Sequence, residues 1–320
     1  MSGHGTPWLS VLMPVYNGAS MLRATLSSVA DQAEGVEVIL VDQGSTDGSA
    51  RIAAEFADRI DLRLVAAPEN ENWVQNTNLA LRLARAPRAT LLHQDDLWRP
   101  GRAALLRRMF AAHPDAALWL HGADYVDGEG RVIGRQAPPL GARRRAVAAS
   151  EVLSLLMVQN TVALPAAAFP VAAARAMGGL DEGLWYTADW DFWLALAGRG
   201  ETAWDPARGV AFRLHGGSLT VSGSADLADF AAQLDTPPAR HAGALAPEAR
   251  DRVLAMARAS NTVNLWLASV FHGSRGPVWP PISAFLSLGP PAWLPFLSRT
   301  RLVQRVRPRL RLMGRRRADG

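Results

Sequence analysis

Three short polar runs stand out, because each follows an apolar run that reads as a β-strand. Leu9–Met13 leads into Pro14-Val15-Tyr16-Asn17, and Val36–Val41 leads into Asp42-Gln43-Gly44-Ser45-Thr46-Asp47-Gly48. Ala89–Leu92 leads into His93-Gln94-Asp95-Asp96. In an open α/β sheet, ligands bind beyond the carboxyl ends of the strands. A single Asp in such a place is more often a turn former or helix cap; three polar strand ends in one chain outline a site. Asp95 and Asp96 are neighbouring carboxylates, which repel each other and are costly to bury unpaired. A cation is the simplest explanation, with a solvated turn as the opposing one. Hard oxygen ligands in small number suit Mg²⁺ or Mn²⁺, with substrate phosphates completing the shell.

A second acidic group lies far downstream, in Asp189-Trp190-Asp191-Phe192-Trp193-Leu194. The pattern predicts a helix over 189–197, on which positions i and i+2 do not face the same way. Only one of Asp189 and Asp191 is therefore expected to point into a site. Trp185, Tyr186, Trp190 and Trp193 cluster around them. Trp193 reads as core, whereas Trp185 and Tyr186 just before the helix suit either stacking on the apolar face of a ligand or packing. Asn72–Asn76 precedes another helix and reads either as a cap or as a contact to a ligand.

Short apolar runs alternating with helical patterns over the first half predict a largely parallel α/β sheet flanked by helices. The expected helices are Ala19–Asp31, Ser45–Arg59 (capped by Ser45 or Thr46), Trp73–Ala84 and Gly101–His113. Further strands are expected at Leu62–Ala66 and Ala117–Leu120, and Asp127-Gly128-Glu129-Gly130 reads as a hairpin turn. After Pro138-Pro139 the pattern is less regular, with a helix near Ser150–Val158, short strands at Thr202–Trp204 and Val210–Leu214, and helix over 226–272. The expected division is an α/β domain over 1–222, a helical extension over 223–272, and a Pro/Trp/Arg-rich tail over 273–320.

Several chemistries are excluded. The chain has no cysteine, so disulfides, thiolate nucleophiles and cysteine-held metals are absent. It has no lysine, no G-x-x-x-x-G-K-[ST], no H-E-x-x-H, no G-x-S-x-G and no G-x-G-x-x-G after the first strand.

With these residues in view, the chain resembles the family 2 glycosyltransferases of the GT-A fold over about 9–220. Leu9–Gly18 is similar to the family's first strand and nucleotide-contacting turn. Val38–Gly48 is similar to the second, where Asp42 takes the place of the residue that holds the nucleobase. His93–Trp98 falls where the metal motif lies, Asp189–Leu194 where the leading Asp is the general base, and Arg213-Leu214-His215-Gly216-Gly217-Ser218-Leu219-Thr220 where the active site closes. Gln43, His93 and Ala188 stand where the family usually has acids.

The resemblance implies a metal-dependent, inverting transfer from a nucleotide-sugar donor to a saccharide or lipid-linked hydroxyl, in the synthesis of cell-surface polysaccharide or glycolipid. It assigns Asp189 as base with Asp191 as runner-up. Donor contacts are expected from Pro14, Tyr16, Asn17, Asp42, Asn76, His93, Gln94 and Asp95, and acceptor contacts from Trp185, Tyr186 and Trp190. Mg²⁺ or Mn²⁺ is expected at Asp95, Asp96 and His215, and His93 serves equally well as metal ligand or ribose contact. A catalytically silent nucleotide-sugar or carbohydrate binder and a sugar nucleotidyltransferase are the rival readings. The latter needs a glycine-rich first turn with basic residues, which this chain lacks.

Charge is uneven along the chain. All 34 basic residues are arginine, and nine of them lie in Phe296–Gly320 beside the single acid Asp319, so the rest of the chain is mildly acidic. Arginines beside Trp279, Phe285, Trp293 and Phe296 suit an anionic membrane surface better than nucleic acid; a solubilising disordered end is the plainer reading. Six prolines in Pro277–Leu297 argue against a spanning helix. No signal peptide is evident, and the expected location is cytoplasmic, peripheral on the inner face of the membrane.

Overall fold

The computed structural model describes residues 5–215, 223–273 and 276–316. The first half alternates as expected: β1 (Leu9–Val15), α1 (Ala19–Ala30), β2 (Val36–Asp42), α2 (Ser49–Ala54), β3 (Asp61–Ala66), α3 (Trp73–Leu83), β4 (Arg88–Leu91), β5 (Leu97–Trp98) and α4 (Arg102–Ala112). There follow β6 (Leu118–Val126), β7 (Val132–Gln136), β8 (Arg145–Val147), α5 (Ala149–Leu156), β9 (Ala167–Pro170), α6 (Val171–Ala176), α7 (Ala188–Ala197) and β10 (Thr202–Arg213). Helices α8 (Leu227–His241), α9 (Pro247–Phe271), α10 (Trp279–Leu286), α11 (Pro290–Thr300) and α12 (Leu302–Arg316) complete the chain.

One ten-stranded sheet runs in the order β3-β2-β1-β4-β9-β6-β10-β5, with β7 on β6 and β8 on β10. Strands β3, β2, β1 and β4 are parallel, and β9 is antiparallel to β4 and β6. Every residue of β1 and β2 is buried, because helices cover both faces. The two-residue alternation of side chains splits them between two cores. Leu12, Ile39 and Val41 join Val74, Phe169, Trp190 and Trp193 on one face, while Val11, Met13, Val38 and Leu40 meet Leu22, Leu26 and Leu106 on the other.

Glu37 interrupts the apolar run of β2, and its buried carboxylate is fully engaged. It accepts the Ser10 hydroxyl, the Arg85 N–H (2.6 Å) and Nε (2.7 Å), and the Ala86 N–H (3.1 Å). Burial raises the Glu37 pKa, but these bonds outweigh it and hold the carboxyl below its ordinary value.

The structure corrects several expectations. Helix α2 starts at Ser49, not Ser45, behind Gly48 at φ +91°, because Ser45 and Thr46 bond to neighbouring turns instead. The two short strands expected after 202 are one strand, β10, whose pairing with β6 shifts register between Asp205 and Val210. Pro206 cannot donate to a ladder, so a bulge forms there. The tail is helical despite its prolines, since Pro280, Pro290 and Pro291 sit in the first turns of α10 and α11, where no N–H is required.

The segments beyond 222 share the body's core: Phe230 and Leu234 of α8, Val253 and Met256 of α9 and Phe296 of α11 all join the cluster around Trp190 and Trp193. Helix α12 reaches back to the sheet, where Arg311 Nη1 donates to the Ile133 carbonyl of β7 (2.7 Å) and Pro308 lies against Gly134. No helix among the described residues is long and apolar enough to cross a membrane.

Candidate active site

Register brings the polar strand ends to one rim. Val15 pairs with Asp42, and the Leu92 N–H bonds to the Leu12 carbonyl, so β1, β2 and β4 release their next residues side by side. The turns after β1 and β2 then interlock. Asn17, in the left-handed region at φ +46°, donates its N–H to Ser45 Oγ (2.9 Å) and accepts the Thr46 N–H (2.9 Å). Asp47 accepts the Ala19 N–H (2.9 Å) and the Ser49 hydroxyl (2.6 Å). Asp42 is buried, and its carboxylate accepts the Ser45 N–H (3.2 Å) and hydroxyl. The turn-forming roles weighed for these residues are thus realised.

The β4 end is held as tightly. The Gln94 side chain bridges Tyr16 like a strand partner, accepting its N–H (2.8 Å) and donating to its carbonyl (3.0 Å). This leaves the Tyr16 side chain exposed and makes the Gln94 amide a brace between β1 and β4. Gln43 reaches α3 by accepting Asn76 Nδ2 (3.4 Å), and Asn76 also accepts from Asn70 (2.6 Å). Asn72 caps α3 by accepting the Val74 and Gln75 N–H groups, a bond type worth ~1 kcal/mol.

Asp95 and Asp96 part company. Asp95 Oδ2 accepts His215 Nε2 at 2.8 Å. Burial works to raise the Asp95 pKa, but the His215 bond and neighbouring charge hold it below the usual carboxylate range. Asp96 turns inward, 1% exposed, and Oδ1 accepts the Arg213 N–H (2.9 Å). Burial, with the Asp95 charge beside it, pushes the Asp96 carboxyl well above its ordinary value, and Oδ2 has no hydrogen-bond partner among the described residues. The structure therefore separates Asp96 from the expected metal ligands: its carboxylate is committed to the β10 backbone. Arg213, quoted in the sequence motif without a role, is the organiser here. Its side chain donates to the Asp95 (2.7 Å), Asp127 (3.2 Å) and Gly128 (2.7 Å) carbonyls. Gly216–Thr220 of that motif lie outside the described residues.

Among the described residues no group of three or more His, Asp or Glu side chains converges as a metal cluster. Asp95 and His215 alone offer one carboxylate and one imidazole. Hard oxygen and imidazole donors of this kind fit a Mg²⁺- or Mn²⁺-type cation, which Asp95 and His215 would hold.

His93 packs edge-on to Trp73, with ring centroids 5.1 Å apart, and its Nε2 lacks a partner among the described residues. Burial outweighs the pull of Asp95 and lowers the His93 pKa, leaving a neutral ring. Trp73 in turn donates Nε1 to the Trp185 carbonyl (2.8 Å). A continuous chain of contacts thus runs from the β4 end through α3 to the segment before α7.

At the start of α7, Asp189 Oδ2 accepts Asn160 Nδ2 (3.0 Å) and Oδ1 accepts the Trp190 N–H (2.8 Å). Burial raises its pKa to about 6, against the opposing effect of those bonds. Asp191 points elsewhere: it pairs with Arg240 (2.9 Å) and His241 (3.0 Å) of α8, which corrects its reading as an alternative base. Trp190 is 1% exposed and donates Nε1 to the Leu156 carbonyl (2.7 Å), so it is core and not an acceptor contact. Trp185 and Tyr186 remain half-exposed beside α8, Trp185 donating to Asp229 (2.7 Å) and Tyr186 packing edge-on to Phe230. Asn160 was missed from sequence; its signal was the polar run Gln159-Asn160-Thr161 directly after the apolar Leu155–Val158.

Residues 10–152 match the family model for glycosyl transferase family 2. An uncharacterized glycosyltransferase of Rickettsia typhi is 23% identical over 234 residues, which cover 71% of this chain and 70% of that one. The structure superposes on S. aureus TarS 1–349 in complex with UDP-GlcNAc with a TM-score of 0.65 at 17% identity, over 88% of this chain and 80% of that one. It superposes on the mannosyltransferase PcManGT of Pyrobaculum calidifontis, in complex with GDP-Man and Mn²⁺, with a TM-score of 0.58 at 18% identity, over 94% and 87% of the two chains. Residues 10–152 thus form a domain similar to glycosyl transferase family 2, and the chain is a glycosyltransferase built on the GT-A fold.

Proposed function

We propose that the protein transfers a sugar from a nucleotide-sugar donor to a hydroxyl of a saccharide or lipid-linked acceptor, with inversion, using Asp189 as general base. The observation that carries this reading is the Asp189 carboxyl itself. It sits half-buried at a helix start, oriented by Asn160, with its pKa raised to about 6. A base titrating just below neutral pH is largely ionised in use yet basic enough to accept a proton, a match typically worth ~10²–10⁴-fold in rate.

In a single displacement, the acceptor oxygen attacks the anomeric carbon as the bond to the diphosphate oxygen breaks. The hydroxyl proton passes to Asp189, and the nucleoside diphosphate departs. The rim of Pro14, Tyr16, Asn17, Asp42 and Asn76 faces the donor in this reading. Asp95 and His215 would hold Mg²⁺ or Mn²⁺, which when bound offsets negative charge on the diphosphate. PcManGT, with GDP-Man and Mn²⁺, supports the donor and metal parts by similarity of fold. Trp185 and Tyr186 would stack on the acceptor.

The C-terminal helices support a membrane-facing acceptor. Trp279, Ile282, Leu286, Leu294, Leu297 and Val303 are exposed across α10–α12. No acid occurs between Asp251 and Asp319, a stretch rich in arginine. Anionic lipid attracts such a surface by ~1 kcal/mol per basic residue.

A panel of sugar nucleotides, assayed with Mn²⁺ for release of nucleoside diphosphate, tests the central claim. Asp189→Asn is expected to lose ~10²–10⁴-fold in turnover while still being thermally stabilised by UDP or GDP. Full turnover in that variant would remove Asp189 from the mechanism.

A further inference from the structure

One of the groups that fix the Asp189 carboxylate comes from outside α7, from the loop after α5. Asn160 donates Nδ2 to Asp189 Oδ2 (3.0 Å), and its Oδ1 accepts the Val162 N–H (3.2 Å). The second bond settles which end of the amide faces the carboxylate. Gln159, immediately before it, is buried and leads away from the site. Its Oε1 accepts the Ser260 hydroxyl (2.7 Å) and Asn264 Nδ2 (3.0 Å), both on α9, while its Nε2 donates to the Asn160 carbonyl (3.3 Å). Asn264 Oδ1 in turn accepts the Arg305 guanidinium of α12. Ser260 and Asn264 are buried as well.

A buried amide with its donor and acceptor both engaged is confined to one orientation, and packing alone does not require it, since apolar groups of the same shape fill a core equally well. We propose that Gln159 and Asn264 are positioning residues: with Ser260 and Arg305 they form a polar relay through which α9 and α12 hold the 159–162 loop, and with it Asn160, against Asp189. The C-terminal helices thereby belong to the catalytic apparatus as well as to the outer surface. This inference rests on the reading of Asp189 as base.

The groups facing the carboxylate, Asn160, the Trp190 N–H and the Trp193 indole, are neutral; Arg240 and His241 nearby are engaged with Asp191 on the α8 side. Loss of the Asn160 bond, which favours the ionised form, therefore has one sign: it raises the Asp189 titration.

The test uses the full chain labelled with ¹³C-carboxyl aspartate and follows Asp189 by NMR across pH, its signal identified by its loss in Asp189→Asn. Asn160→Ala is expected to move the midpoint upward from about 6. Gln159→Leu and Asn264→Ala are expected to move it in the same direction by a smaller step, and to lower turnover ~10-fold with an unchanged KM for the donor. Arg305→Ala, at the outer end of the relay, is a milder variant that gives the same comparison should the buried ones fail to fold. Stabilisation by UDP or GDP checks that the donor rim is intact. Titration curves for the Gln159, Asn264 and Arg305 variants that superpose on the unsubstituted protein would overturn the relay. A fully active Asp189→Asn would instead overturn the base assignment, leaving the titration result to stand by itself.

Discussion

The acidic side chains of the parallel half-sheet and those of α7 are treated in opposite ways. Glu37 is met by Arg85 from the segment before β4, Asp42 by Ser45 of its own turn, and Asp95 by His215. Asp189 faces neutral donors, the Asn160 amide, the Trp190 N–H and the Trp193 indole, and its carboxyl rises to about 6. Asp191, two residues on, meets Arg240 and His241. All are carboxylates; the partners decide whether one is held ionised as a structural tie or has its pKa raised.

The widest separation is expected between the two acids of α7. Asp189→Asn should abolish all but ~10⁻²–10⁻⁴ of turnover, whereas Asp191→Asn should spare turnover and lower stability by about 1–3 kcal/mol, because a buried charge pair loses one member. Steady-state rates and denaturant melts of both variants measure this, and equal losses of rate would erase the distinction. The tryptophans divide likewise. Trp190→Ala should cost about 3–5 kcal/mol in a urea melt, as an aromatic side chain is removed from the core. Trp185→Ala should leave the melt nearly unchanged and raise the KM for acceptor.

Linkage sharpens the same contrast. Because the folded-state pKa of Asp189 lies above its unfolded value, its charge opposes folding once the pH exceeds the unfolded pKa, and fully so above about 6. Asp189→Asn should therefore raise Tm by about 2–4 °C at pH 8, a gain that vanishes below pH ~4. Glu37 has the reverse sign. Its lowered pKa contributes stability above the unfolded value, which is lost as the pH falls through the folded one. Glu37→Gln should cost about 1–3 kcal/mol at pH 7 and flatten the acid limb of the stability profile.

The parallel half of the fold was legible because continuous apolar runs such as Leu9–Met13 and Val38–Val41 end in turn residues, and that pattern has few structural solutions. Asp189 was singled out by the resemblance carried by Asp189–Leu194, and the opposed facing of Asp189 and Asp191 followed from helical geometry. What remained hidden depends on partners distant along the chain. Asp96 looks like a ligand until Arg213, more than a hundred residues later, supplies its N–H. Trp190 looks like a sugar platform until the Leu156 carbonyl accepts its indole N–H. Asn160 carries no periodic signal, since its role is set by the packing of α5 against α7. The helical tail was obscured by its prolines, several of which sit in first turns, a placement that emerges only once the helix starts are known.

Gly134 on β7 has its own consequence. A methyl group there would come within 2.5 Å of the Pro308 ring, so the absence of a side chain is what lets α12 lie on that strand. Strand β7 pairs only with β6, which makes it an outer strand with one row of amides unpaired by sheet. Gly134→Ala would act as a wedge, lifting the last helix and baring a ribbon able to recruit its like from a second molecule; concentration-dependent association in light scattering is the expected sign.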